Sequence, residues 1–392
     1  MKQYNKITPE GTKDRLFGEC EKRSSLAGAL RSLFASRGFR EVSTPVLEYY
    51  DVFDTARAYF PQEAIYKLID SSGRILVLRP DCTIPIARLI GARLRNEAGP
   101  LRLFYHQKIY RHASGHSGVS GEISQMGVEL VGSSLPLCDV EIVELACKSL
   151  QAVCGSDYQL ELCHIGYFNA LVDSLGTDPA TREQIRELVE HKNFPALDLL
   201  LERFDGCPAQ KALRKLPALF GSVAVLDEAR ALFSDGEADR ALDALAGLYH
   251  ALSALGLGEH LTIDLGLVNQ ADYYTGIIFR GYTAGAGEAV LSGGRYDDLI
   301  GEFGPARPAT GFGINLDLLC ERVQGCPPVA PPSAAVLVDA ASGVSETFSL
   351  LERLCSQHFA AQMIPVQEAE TAPAPQGFDR VFRVVGDLAR EG

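Results

Sequence analysis

The chain has 392 residues, 46% of them hydrophobic, enough for two or three domains around a large core. Its net charge of −13 counts against a protein whose main partner is RNA, because a nucleic-acid binder carries a basic face to neutralise phosphates. No apolar run approaches the roughly 18 residues of a membrane span. The start, Met1-Lys-Gln-Tyr-Asn-Lys6, lacks the apolar stretch of a secretory signal, so a cytoplasmic chain is expected. The ten cysteines include no Cys-x-x-Cys pair. Cys82, Cys147, Cys154, Cys163 and Cys320 stand beside apolar residues and read as buried reduced thiols.

Leu26, Leu30, Leu33 and Phe34 recur at helical spacing and predict a helix over Ser24–Arg37, with Gly38 at its C-cap. Phe39–Glu48 reads as an extended segment that Pro45 confines to an edge or an interface. A strand pair is expected at Ile65–Ile69 and Arg74–Leu78, turned by Asp70-Ser-Ser-Gly73. A helix follows from Arg79-Pro-Asp-Cys-Thr83 to about Arg95, then strands at Leu101–Tyr110 and Glu122–Val131 and a helix over Asp139–Val153. Between the two strands, His112–Gly121 is a glycine-rich loop. It has neither the lysine nor the spacing of a phosphate-binding loop, and its His112/His116 pair is not on a helix, so no metal site is expected.

Residues 166–257 carry apolar stripes at helical spacing and predict a helical insertion. Strands are expected again at Leu261–Leu267, Tyr273–Phe279 and Glu288–Leu291, with Gly293–Asp297 and Gly311–Asn315 each opening a helix. The prolines of 326–333 form a stiff linker. Beyond it, 334–392 reads as a small α/β unit: a strand at Ala334–Val338, a helix at Ser345–His358, and strands at Gln362–Val366 and Arg380–Val385, with Glu368–Gly377 as a mobile loop. Hairpin-linked strands, a helical block and returning strands together predict an α+β core with a mostly antiparallel sheet over residues 1–325.

Four segments resemble the histidyl-tRNA synthetase family. Gly38–Glu48 is similar to its motif 1, Arg79-Pro-Asp-Cys-Thr83 to its Arg-Pro-Glu-Gly-Thr run, and Tyr110-Arg111 through Gln125–Glu129 to its motif 2. Asp272-Tyr-Tyr274 and Ser292–Asp297 resemble its two histidine-specific signatures. The resemblance covers roughly residues 5–320 and implies the class II synthetase fold, with motif 1 at a two-fold interface that would bury Phe39 and Val42. It places Asp81, Thr83, Gln125 and Glu129 around the ammonium of a free histidine, Arg111 near its carboxylate, and Tyr274 and Tyr296 against its imidazole. Those residue types suit the ligand, because an ammonium needs acceptors and an imidazole needs apolar faces with polar tips.

The nucleotide half departs from the family. Ala113 stands where the family has the glutamate that contacts adenine, Val119 and Gly121 where it has basic loop residues, and Ile123 where an aromatic stacks. Asn269 replaces a catalytic arginine, and Leu318 replaces the motif 3 arginine that holds ATP. Each such loss costs about 3–4 kcal/mol of transition-state stabilisation, so adenylation is not expected. A histidine site without an ATP site resembles the family branch that serves as regulatory subunit of ATP phosphoribosyltransferase. That branch implies a short-form catalytic subunit as partner, a homodimer as building block, free histidine as feedback effector, and neither tRNA nor cofactor. The 334–392 unit is similar to a shortened anticodon-binding domain. A stand-alone histidine sensor, another class II-like ligase and an active synthetase are the alternatives.

Overall fold

The leucine stripe lies on a helix longer than expected, α1 (Gly18–Ser36), which buries Leu26, Leu30 and Phe34. Gly38 ends it at φ +78°, a conformation that costs glycine no side-chain clash. The computed structural model describes residues 6–53, 64–112, 121–268, 273–323 and 332–392. They fall into two compact units, 1–326 and 327–392.

In the first unit α1 leads to β1 (Arg40–Glu41), β2 (Leu47–Tyr49), β3 (Lys67–Ile69), β4 (Ile75–Leu78), α2 (Thr83–Arg93), β5 (Leu101–Tyr110), β6 (Glu122–Val131) and α3 (Pro136–Cys154). Then come β7 (Tyr158–His164), α4 (Ile165–Ser174), α5 (Pro179–Glu190), α6 (Phe194–Leu201), α7 (Pro208–Lys215), β8 (Phe220–Gly221), α8 (Val225–Leu232) and α9 (Gly236–Ala254). The unit closes with β9 (Leu261–Asp264), β10 (Ile277–Thr283), β11 (Leu291–Arg295), β12 (Ala309–Asn315) and α10 (Leu316–Arg322).

One large sheet runs β1-β5-β6-β12-β11-β10-β7-β9-β8. It is antiparallel except at β1·β5 and β7·β9. Alternation along β6 sorts its side chains: Met126, Val128 and Leu130 join α1 and α3 in the main core, while Gln125, Gly127 and Glu129 face the opposite way. On that opposite face α2 packs with Leu103, Tyr105, Ile109, Tyr273 and Tyr296 in a second core. A separate three-stranded sheet, β2-β4-β3, carries the predicted hairpin. Its turn is held by Asp70, which accepts the N–H groups of Ser72 (2.8 Å) and Arg74 (2.9 Å).

Several expectations need correction. Gly293–Arg295 and Gly311–Asn315 lie within β11 and β12, and the helix begins only at Leu316. Glycine weakens an isolated strand, but here the sheet leaves no room for a Cβ: one on Gly294 would lie 2.7 Å from the Tyr274 ring, and one on Gly313 2.7 Å from Gln125 Nε2. β10 starts at Ile277 rather than Tyr273, β11 starts where the expected strand ends, and β7 has no counterpart in the expected elements. Phe39 is already buried within its own chain, beneath the Arg102 guanidinium at 5.4 Å, so no second subunit is needed to cover it.

The second unit contains β13 (Ser333–Val338), α11 (Val344–Ser356), β14 (Ala360–Pro365), β15 (Arg380–Val385) and β16 (Leu388–Glu391), in sheet order β14-β13-β15-β16. Leu350 and Leu354 of α11 pack on Ala334, Val336 and Val384. The 368–377 segment, expected as a mobile loop, is tied down: Ala369 N–H donates to Asp339 (2.8 Å), and Arg383 donates to the Ala372 carbonyl (3.0 Å). No helix among the described residues is long and apolar enough to cross a membrane.

Candidate functional site

The predicted polar residues converge where the middle of β6 meets the start of α2. Glu129 is fully buried there. Thr83, the first residue of α2, donates to Glu129 Oε1 at 2.9 Å, and the Tyr296 hydroxyl donates to Oε2. Burial pushes the Glu129 carboxyl up to about 8, against the pull of those two donors, and the nearby Asp81 charge adds to the rise. Gly311 lies opposite Glu129 on β12, and its missing side chain is the space the carboxyl occupies.

Asp81 precedes α2 and accepts the Ile84 N–H at 2.9 Å, so it also caps the helix. Burial raises its carboxyl, and the Arg111 guanidinium partly offsets that rise. Arg111 lies just past β5, with its Nε donating to the Pro80 carbonyl at 2.8 Å. Gln125 is two strand steps from Glu129 on the same face of β6 and accepts a hydrogen bond from the Tyr105 hydroxyl at 3.2 Å. Tyr274 packs against Tyr273 with ring centroids 4.7 Å apart, and Tyr273 meets Tyr296 edge-on at 5.7 Å. The seven predicted residues thus line one buried end of the sheet, rich in acceptors and walled by tyrosine rings.

Strand periodicity could have pointed to one residue the sequence reading missed. Tyr105 is directly opposite Gly127, between Gln125 and Glu129, and is fully buried. Arg295 was missed as well. Its guanidinium pairs with Asp139 (3.0 Å) and Asp297 (3.0 Å), anchoring the strand end that presents Tyr296.

The nucleotide half is built differently. Ala113, Val119 and Asn269 lie outside the described residues. Leu318 is buried in the main core, and Ile123 lines a cavity of about 310 Å3 beside it. The N-terminal segment crosses this region. The Gly11 carbonyl accepts the Gly121 N–H at 2.7 Å, and Arg15 pairs with Asp317 at 3.0 Å. Asp317 also accepts the Ser124 N–H at 2.8 Å, next to Gln125. The chain's own cation therefore sits on the acidic residue of motif 3. Nothing in motif spacing signals this, because Arg15 belongs to no motif.

The Histidyl-tRNA synthetase family profile matches residues 11–319. The chain is 44% identical over 327 residues to the ATP phosphoribosyltransferase regulatory subunit of Clostridium kluyveri, covering 83% of this chain and 84% of that one. It is 34% identical over 394 residues to the subunit of the same name from Acetivibrio thermocellus, covering 99% and 94%. The chain belongs to the family of ATP phosphoribosyltransferase regulatory subunits. A crystal structure described as an ATP phosphoribosyltransferase regulatory subunit/histidyl-tRNA synthetase from Bacillus halodurans agrees with this fold at a TM-score of 0.80 and 30% identity, covering 91% and 93% of the two chains. In this chain the polar cluster around Glu129 lies beside a cavity lined by Arg15, Asp317 and Leu318.

Proposed function

We propose that the chain is a histidine-sensing, non-catalytic subunit that assembles with a short-form catalytic subunit of ATP phosphoribosyltransferase and conveys feedback by histidine on the first step of histidine biosynthesis. The observation that carries this reading is the buried Glu129, bonded to Thr83 and Tyr296 beside Asp81, next to a nucleotide half whose cavity is lined by the Arg15–Asp317 pair and Leu318. A carboxyl in that setting meets a ligand N–H, and the tyrosine rings suit a flat imidazole. Asp81, Thr83, Arg111, Gln125, Glu129, Tyr274 and Tyr296 are the proposed contacts. Histidine regulates only to the extent that it binds active and inhibited assemblies unequally.

A homodimer is the proposed building block. The β2-β4-β3 sheet supports it, because Leu47, Tyr49 and Leu68 stay 46%, 46% and 44% exposed on one of its faces. The net charge of −13 fits a subunit with no tRNA duty, in the cytoplasm. A histidine titration by calorimetry, with and without the catalytic subunit, tests the reading. Saturable binding whose affinity changes with the partner is expected, and absence of binding in both states overturns it.

A further inference from the structure

Gly127 of β6 and Gly313 of β12 are paired directly, so two neighbouring strands lack a side chain at one level. Tyr105 of β5, paired with Gly127 on its other side, reaches into the slot this leaves. A Cβ on Gly127 would lie 2.5 Å from the Tyr105 hydroxyl oxygen, and one on Gly313 would lie 3.0 Å from it. The phenol therefore rests on bare backbone, and it is only 1% exposed. The Gln125 side chain ends over the same two glycines. Its Nε2 stands 2.7 Å from where a Gly313 Cβ would be, and its Oε1 accepts the Tyr105 hydroxyl at 3.2 Å. Among the described residues this is the amide's one hydrogen bond. Gln125 is half-buried, so a ligand can reach the amide, whereas Tyr105 lies beneath it.

A glutamine amide ends in an acceptor and a donor of nearly the same shape. An ammonium can bond only to the acceptor. Turned over, Gln125 would set N–H groups where its oxygen stands, and the buried phenol would lose its acceptor, which is costly away from water. The hydroxyl keeps the proton that makes this choice. Burial raises it far above its ordinary value, and the nearby Cys82, Glu129 and Asp81 add to the rise. Geometry and protonation thus favour one orientation of the amide before any ligand arrives.

We propose that Tyr105 is a positioning residue of the histidine pocket: its hydroxyl, seated over Gly127 and Gly313, holds the Gln125 amide with the oxygen, not the nitrogen, available to the ligand ammonium. This rests on the histidine reading of the Glu129 pocket and adds the group that orients one of its contacts.

The test is a double-mutant cycle on the full chain, read by calorimetric titration with L-histidine. Tyr105→Phe keeps the ring and removes the hydroxyl. It should weaken histidine roughly 2- to 12-fold, the scale of one neutral hydrogen bond. Gln125→Glu keeps the shape of the side chain but makes both of its ends acceptors, so no end has to be chosen. Gln125→Ala removes the amide altogether. In either background Tyr105→Phe should change the affinity by less than about twofold, because the two residues act as one unit. A ring that served packing alone would give the same loss in every background. Native binding of histidine that Tyr105→Phe leaves unchanged overturns this proposal and spares the histidine reading. So does a Tyr105→Phe loss carried undiminished into both Gln125 backgrounds. A native chain that binds no histidine overturns the histidine reading, and this proposal with it.

Discussion

Glu129→Gln is the most informative perturbation of the proposed histidine pocket, because its effect depends on pH in a way the geometry fixes. The native carboxyl, pushed up to about 8, is mostly protonated at neutral pH. A cationic or N–H-donating ligand needs the carboxylate, so binding at pH 7 must displace a proton, at a cost of about 1.4 kcal/mol. A charge-assisted hydrogen bond returns about 1.5–3 kcal/mol. The net loss on Glu129→Gln at pH 7 is then only about 0–1.6 kcal/mol, at most roughly 15-fold in affinity. Above pH 8 no ionisation has to be supplied, and the loss grows to about 10- to 150-fold. The native protein should bind histidine about fivefold more tightly at pH 8 than at pH 7 and release about 0.9 proton per chain at pH 7. Calorimetry in phosphate and in Tris, whose ionisation enthalpies differ, reads that proton count directly. Equal enthalpies in the two buffers, with a Gln variant equally impaired at both pH values, would refute the reasoning.

Without ligand, the same group sets a stability slope. Its folded value of about 8 is above the ordinary 4.5, so the stability it contributes is complete below pH 4.5 and lost as pH rises through 8, at about 1.4 kcal/mol per pH unit. Urea midpoints at pH 5 and pH 8 should show that slope in the native chain and its absence in Glu129→Gln; identical slopes would contradict the burial argument. Gly294→Ala puts a Cβ 2.5 Å from the Ile277 carbonyl oxygen and 2.7 Å from the Tyr274 ring and should cost about 1–3 kcal/mol, with weakened histidine binding. An unchanged denaturation midpoint would show that both the β10 backbone and the ring have room to move. No histidine-dependent ATP–pyrophosphate exchange is expected from the native chain or from Leu318→Arg, since Arg15 still occupies Asp317; exchange above a no-enzyme control in either would count against it. Tyr49→Asp should turn the proposed dimer into a monomer in sedimentation at micromolar concentration, and a persisting dimer would move the interface elsewhere.

How much of this was legible depended on where local pattern and global packing agree. β5 and β6 match the expected strands residue for residue, because ten-residue runs bounded by a glycine-rich loop leave little else to form. The seven proposed contacts were named from the family resemblance of the short motifs that carry them. The helices of the insertion followed from their leucine stripes, but β7 between α3 and α4 did not, since its Tyr-Gln-Leu-Glu-Leu-Cys-His run leads straight into a helix. Gly293, Gly294, Gly311 and Gly313 misled because glycine argues locally against a strand. Only positions across the sheet explain why those strands need glycine: Tyr274 for Gly294, Glu129 for Gly311, Gln125 for Gly313, and Phe279 and Phe312 for Gly293. Arg15 could not be found at all, because its ion pair joins residues some three hundred positions apart.

The glycines of β11 and β12 make the room for Glu129, Gln125 and Tyr274 a property of the backbone. A cavity shaped by large side chains is erased by changing one of them. The room here exists because two neighbouring strands lack side chains at Gly294, Gly311 and Gly313, so adding one means pushing a Cβ into a tyrosine ring, a carboxyl or an amide. Exchanges beside it, at Leu318 or Ile123, leave those glycines in place. A lineage can therefore exchange the neighbouring side chains by ordinary substitution and still inherit the mould around Glu129, for as long as the sheet itself folds.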